Sequence, residues 1–153
     1  KGSVETQAAH HAGWHHRSDR PGQNRNQQNI GAHVCGRHPR QRQAGEAGWL
    51  AGYFDGDNYI QHTPHIGDGL SGLGKALADM AKAGITMKYS TIHQVLGEGN
   101  FVLVVSEGVF AGKPTSFYDL FRVQNGKIAE HWDTMETIPA RAEWKNANGK
   151  FGF

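Results

Sequence analysis

The stretch that decides the fold is Phe117–Asp133, FYDLFRVQNGKIAEHWD, which carries ionisable residues inside two largely apolar runs. The dipeptide Asn125-Gly126 separates the runs, and this pair between alternating apolar segments is a strong hairpin signal. Asp is depleted in strands and costly to bury without a partner, so Asp119 and Asp133 need either a partner or a chemical role. The stretch therefore predicts an antiparallel hairpin that contributes to a chemical site.

The register of this hairpin decides whether the two carboxylates share a face, and the sequence allows two registers. A two-residue loop pairs Asp119 with Trp132 and puts Asp119 and Asp133 on opposite faces. A three-residue loop with a bulged glycine pairs Asp119 with His131 and puts both carboxylates on one face. We favour the second register because it gathers the acid–base groups. One face then carries Asp119, Phe121, His131 and Asp133, and the other carries Tyr118, Leu120, Arg122, Glu130 and Trp132.

Length and charge limit the class of protein. The chain has 153 residues, the size of one domain with a substantial core. Residues 1–48 hold seven Lys/Arg against three Asp/Glu, and residues 49–153 hold nine against eleven, so the second part argues against a nucleic-acid partner. The single cysteine, Cys35, excludes an internal disulfide. Without a membrane-length apolar stretch or a signal-peptide pattern, we expect a cytoplasmic protein with no membrane partner.

Residues 1–48 differ from the rest of the chain. They contain no Leu, Phe, Tyr or Met, one Ile, and six of the ten histidines. Such a segment cannot bury enough apolar area to offset its ordering entropy, so we expect it to be poorly ordered or non-native. A basic arm that contacts RNA, or a metal through its paired histidines, is an alternative, but the pairs lack the spacing of a defined metal site.

A translation frame error would explain this composition. One permitted set of codons for residues 38–47, read one base later, encodes Ile-Leu-Val-Asn-Gly-Lys-Leu-Glu-Lys-Leu, an amphipathic helical sequence that leads into residues 50–54. Codon choice is free at the degenerate bases, so the match is a hypothesis. Resequencing the gene tests it, and one intact frame confirmed by protein mass would contradict it.

Residues 49–139 are predicted to form one domain, and 140–153 a polar, irregular tail. Apolar residues at helical spacing from Leu70 to Ala81, followed by Gly84, predict a helix. A helix end is predicted at 50–54 and a short strand at 58–62, before Pro64. Strands are predicted at about 86–96, 101–110, 115–123 and 127–135.

Three segments carry a resemblance to a known family: YIQHTPH at 59–65, YDLFRV at 118–123 and GKIAEHWD at 126–133. They resemble the signature segments of SnoaL-like proteins, polyketide cyclases of the NTF2-like superfamily that act by intramolecular aldol condensation. The likeness covers residues 50 to about 139. It implies an α+β fold, the cone-shaped NTF2-like barrel, with a curved antiparallel sheet and helices on its concave side.

The resemblance also implies roles for particular residues. Asp133 matches the carboxylate that acts as acid and base in those cyclases, and His62 matches a polar position after the first short strand. Asp119 stands where those cyclases have a histidine, which leaves the substrate open. From the residues themselves, His131 is a further acid–base candidate. Candidate ligand-contacting residues are Tyr59, His65, Phe121 and Trp132, although aromatic side chains are more often core.

The sequence thus predicts a possible enzyme that needs no cofactor or metal and acts on a small apolar carbonyl compound by aldol-type cyclisation or isomerisation. Asp133 would remove a proton next to the carbonyl, and His62 or a protonated Asp119 would donate a hydrogen bond to the enolate oxygen. Two alternatives are a non-catalytic small-molecule-binding dimer and an epoxide hydrolase that activates water. A homodimer is expected in each case, through the outer face that carries Tyr118, Leu120 and Trp132.

Overall fold

The computed structural model of the chain describes residues 21–35 and 51–152. In chain order these ranges form α1 (Pro21–Val34), β1 (Ile60–Gln61), α2 (Gly69–Lys82), β2 (Met87–Glu98), β3 (Phe101–Phe110), β4 (Lys113–Gln124) and β5 (Lys127–Thr137). Short 3₁₀ turns lie at Gly56–Asn58 and Arg141–Glu143. Most of residues 1–48 falls outside the description, so the hypothesis of a non-native segment stays a prediction.

The five strands form one curved sheet in the order β1-β5-β4-β3-β2. Strand β1 pairs in parallel with β5, and the other neighbours are antiparallel. The predicted α+β class is confirmed. The predicted helix over residues 70–81 is present as α2, and the four predicted long strands are present as β2 to β5.

A two-residue turn closes the β4–β5 hairpin. Asn125 and Gly126 both have positive φ, 52° and 75°, the left-handed backbone that a tight hairpin turn of this kind requires. Gln124 accordingly lies opposite Lys127. The three-residue loop that we favoured from sequence is therefore wrong.

A β-bulge then shifts the register of the same hairpin. Arg122 pairs with Glu130 but Val123 pairs with Ile128, which leaves Ala129 as the extra residue. Beyond the bulge Asp119 lies opposite Asp133, rather than opposite Trp132 or His131 as the two considered registers had it. The predicted division into faces is nevertheless confirmed. The turn and the bulge together displace the pairing by two residues from the favoured register, and a shift by two residues leaves every side chain on the same face.

The helices cover one face of the sheet, which we call the inner face. On α1, Gly31 lies so close to β3 that an added Cβ would come within 2.9 Å of the Val102 side chain. Leu70, Leu73 and Leu77 of α2 pack against the same core. The buried core consists of Cys35, Phe54, Tyr59, Val102, Val104, Phe121, Val123 and Ile128.

Residues 51–53 form turns rather than the predicted helix end. The reason is a second backbone contact with β5: the Ile128 N–H donates to the Tyr53 carbonyl at 2.7 Å, and the Asp55 N–H donates to the Ile128 carbonyl at 3.0 Å. Phe54 thereby forms a parallel bridge to Ile128. An extended chain cannot continue a helix here.

The C-terminal tail lies against the opposite, outer face. The Phe151 ring stacks on His93 with centroids 4.0 Å apart, and Lys150 pairs with Glu136.

Neither of the described helices is long and apolar enough to cross a membrane.

Candidate functional site

Two carboxylates face the helices from adjacent strands. Asp119 of β4 and Asp133 of β5 are directly opposed, so their side chains share the inner face. They differ in access to water: Asp119 is 1 % exposed, whereas Asp133 is half-buried. The pair therefore presents one enclosed carboxylate and one that solvent can reach.

The enclosed carboxylate is held by three side chains. His131 Nε2 lies 3.1 Å from Asp119 Oδ1, and the Tyr89 hydroxyl donates to the same oxygen at 3.4 Å. The Cys35 thiol donates to Oδ2 at 3.7 Å. Both oxygens of Asp119 are thus occupied, which is how a buried carboxylate is normally stabilised.

The second carboxylate has a single described partner. The Thr63 hydroxyl donates to Asp133 Oδ1 at 2.5 Å. Within residues 21–35 and 51–152, no hydrogen bond to Oδ2 of Asp133 is found. Within those residues, that oxygen keeps its full capacity to accept a hydrogen bond.

Gln61 connects the surroundings of the two carboxylates. Its Oε1 accepts from the Thr63 backbone N–H at 3.1 Å, and its Nε2 donates to the Tyr59 hydroxyl at 2.9 Å. The same Nε2 lies 3.4 Å from His131 Nδ1. Strand β1, although two residues long, therefore brings a polar side chain against both halves of the site.

Tyr59, a predicted ligand-contacting residue, is buried on the inner face. Burial raises the pKa of its hydroxyl well above the usual range, and the charges of Asp133 and Asp119 raise it further. Tyr59 is consequently neutral at physiological pH and keeps its proton for donation.

His62 and Trp132 lie on the outer face, away from the carboxylate pair. The His62 ring stacks on Trp132 with centroids 4.2 Å apart, and its Nε2 lies 3.0 Å from a Glu130 carboxylate oxygen. Burial would raise the pKa of Glu130, but hydrogen bonds from His62 and Arg122 outweigh it and lower that pKa. The expected position of His62 beside the cavity is wrong because alternate residues of β1 face opposite sides, so Gln61 takes the inner position.

The two other predicted contact residues also differ in position. His65 is exposed in the turn that follows β1. Phe121 is 2 % exposed, and its ring stacks on His131 with centroids 4.8 Å apart. Phe121 thus supports the imidazole from within the core. That Asp119, His131 and Asp133 line a cavity open to a ligand stays a prediction.

Four members of this site were not predicted from the sequence: Cys35, Gln61, Thr63 and Tyr89. Gln61 and Thr63 flank His62. The sequence therefore indicated the right segment but the wrong residue of it, because His62 faces the other side of the sheet. Tyr89 and Cys35 come from β2 and from the end of α1, and no local pattern marks them. Within the part of the chain that the structure describes, no three His, Cys, Asp or Glu side chains come together as a metal site requires.

Alkaline pH should destabilise the fold through Tyr89. Burial, and next the charge of Asp119, raise the pKa of its hydroxyl well above the usual value near 10. The unfolded chain releases this proton first, so the free energy of unfolding falls as pH rises above about 10, by up to about 1.4 kcal/mol per pH unit for this group. We expect Tyr89→Phe to reduce that slope in urea titrations between about pH 9 and pH 11. A slope identical to that of the parent chain would contradict it.

Comparisons with known proteins find similarity in structure alone. No family model matches the chain. A search of curated proteins finds no match either. TsrD from Streptomyces laurentii is 20% identical with a TM-score of 0.54, over 73% of this chain and 89% of that one.

Two further solved structures are similar. An NTF2-like protein of unknown function from Burkholderia xenovorans is 16% identical with a TM-score of 0.57, over 82% of this chain and 98% of that one. IdmH from Streptomyces antibioticus, a proposed polyketide cyclase, is 18% identical with a TM-score of 0.50, over 72% of this chain and 91% of that one. At this level of identity the likeness establishes the fold, and the chain has the NTF2-like fold that its sequence motifs predicted.

Proposed function

We propose that this protein is an enzyme that performs general acid–base chemistry on a small carbonyl compound, by cyclisation or isomerisation through an enolate. The observation that carries the proposal is the difference between the two opposed carboxylates. Both oxygens of Asp119 are occupied by His131, Tyr89 and Cys35. Among the described residues Asp133 is anchored through Oδ1 alone, and we assign its Oδ2 to the substrate.

Asp133 is the proposed general base. Its Oδ2 takes a proton from the carbon next to the carbonyl, and the electrons of the broken C–H bond pass to the carbonyl oxygen as the enolate forms. The protonated Asp133 then returns the proton in the product. Thr63 holds Oδ1 at 2.5 Å and so fixes the direction in which Oδ2 points.

Tyr59 is the proposed donor to the enolate oxygen, in place of His62. The high pKa of its hydroxyl keeps the proton in place, and Gln61 already donates to its oxygen at 2.9 Å. The proton of Tyr59 has no acceptor among the described residues. A neutral donor in a dry site favours the charge that develops on an enolate oxygen. Because the ring is buried, we expect a ligand to reach the hydroxyl by displacing its neighbours.

Deuterium exchange tests the proposal without knowledge of the natural substrate. The protein is incubated in D₂O with a panel of β-keto esters, polyketide-like β-diketones and one epoxide, and loss of the α-hydrogen signal is followed by NMR. Saturable exchange supports the proposal. Binding of the ketones without exchange would favour the non-catalytic binding protein, and hydrolysis of the epoxide alone would favour water activation.

We further propose that the protein is a homodimer that associates through its outer face. Tyr118, Leu120 and Trp132 lie half-buried on that face. We expect light scattering at micromolar concentration to give twice the chain mass, and Leu120→Glu to reduce it to that of the monomer, because a buried charge without a partner opposes association. A monomeric parent chain would contradict the proposal. A cytoplasmic location stays a prediction.

A further inference from the structure

We propose that Gln61 is a positioning residue that, together with Asp119, keeps the ring proton of His131 on Nε2. The inference deepens the proposed function, because it concerns the same site, but its geometry is independent of any substrate.

The orientation of the Gln61 amide follows from a backbone group. The Thr63 N–H points at one end of the amide at 3.1 Å, and a backbone N–H can only donate. That end must therefore be Oε1, since an NH₂ group there would place two donors against each other. The Nε2 group, with its two protons, consequently faces the other side.

The Nε2 group meets two atoms on that side. The Tyr59 oxygen lies 2.9 Å away and accepts one proton, and His131 Nδ1 lies 3.4 Å away. Because an amide NH₂ cannot accept a hydrogen bond, Nδ1 must present its lone pair. The ring proton of neutral His131 therefore sits on Nε2.

The remaining contact agrees with this assignment. His131 Nε2 lies 3.1 Å from Asp119 Oδ1, and a carboxylate oxygen accepts the proton that Nε2 carries. A chain of donors thus runs from the Thr63 N–H through Gln61 and His131 to Asp119. Backbone pairing maintains it, because Gln61 and His131 are register partners across β1 and β5.

The arrangement separates the two carboxylates chemically. With both ring nitrogens occupied, His131 donates to Asp119 and offers no lone pair to a substrate. Proton removal is thereby left to Asp133. Gln61 acts through His131 and need not touch the substrate.

Nitrogen NMR on the full chain tests the assignment. Histidine is labelled with ¹⁵N and spectra are recorded at rising pH until the His131 signals no longer change; His131→Gln identifies these signals. We expect a pyridine-type shift at Nδ1 and a pyrrole-type shift at Nε2. A proton on Nδ1 of the parent chain would overturn the inference, whether or not the protein turns over any substrate.

Variants of Gln61 provide the second readout. Gln61→Leu keeps a similar volume but removes the donor; because Asp119 still accepts from Nε2, we expect the proton to stay there while the Nδ1 signal shifts as its lone pair loses the hydrogen bond. Gln61→Glu places an acceptor beside Nδ1, and we expect a proton to appear on that nitrogen. Gln124→Leu, at the exposed end of β4, is the matched control and should leave the His131 signals unchanged. Unchanged signals in both Gln61 variants would contradict the inference, and if neither variant folds, the parent spectrum decides.

Discussion

Replacing Asp133 by asparagine (Asp133→Asn) is expected to lower the rate of α-proton exchange by about 10²–10⁴-fold, the usual contribution of a general base. The amide keeps the shape of the carboxylate but cannot take up a proton at neutral pH. Because Asp133 is half-buried and Thr63 can still donate to the amide oxygen, we expect the melting temperature to change little.

Glu98→Gln is the matched control for this variant, since it makes the same chemical change on an exposed side chain at the end of β2. It should exchange protons at the parental rate. If Asp133→Asn retains the parental rate as well, the base is another residue, and Asp119 becomes the next candidate.

Phe121→Ala is expected to lower the free energy of unfolding by about 3–5 kcal/mol, the range for truncating a buried aromatic side chain. Phe121 is 2 % exposed, stacks on His131 and lies 3.6 Å from the position that a Cβ on Gly31 would take. Its loss would therefore leave a cavity between α1 and the sheet.

Urea unfolding of both proteins measures this change, with Leu96→Ala as the control. Leu96 is 49 % exposed, so its truncation should cost less than about 0.5 kcal/mol. A loss for Phe121→Ala as small as that of the control would contradict a core position and would favour the ligand-contacting role expected from sequence.

Much of the fold could be predicted from local patterns. Alternation of apolar residues and the Asn-Gly pair located β3, β4 and β5 to within about two residues, because these strands have one apolar face and tight connections. Within each strand the division into faces was also predictable, because successive side chains of a strand point to opposite sides.

The register was not predictable in the same way, because a bulge has no unique sequence signal. Ala129 is the extra residue, and it is buried next to the buried Ile128. Two consecutive apolar residues, Ile128 and Ala129, were the available sign of a bulge in the sequence. The predicted three-residue loop was wrong, but it assigned the side chains to the correct faces because the actual two-residue turn and the bulge differ from it by a shift of two residues.

The site depended on contacts between distant parts of the chain. Gln61 lies 70 residues from His131, and Cys35 lies 84 residues from Asp119. A two-residue strand such as β1 has too little pattern to indicate which side chain faces inward. His62 was therefore chosen from its chemistry, whereas the pairing of β1 with β5 places Gln61 inside.

A crystal structure with a bound enolate analogue, taken from the ketones that exchange deuterium, tests the central claim most directly. We expect the analogue on the inner face, with Asp133 Oδ2 beside the carbon that loses its proton and the Tyr59 hydroxyl about 2.6–3.2 Å from the analogue's oxygen. A ligand bound instead on the outer face against His62 and Trp132, with Asp133 untouched, would contradict the account.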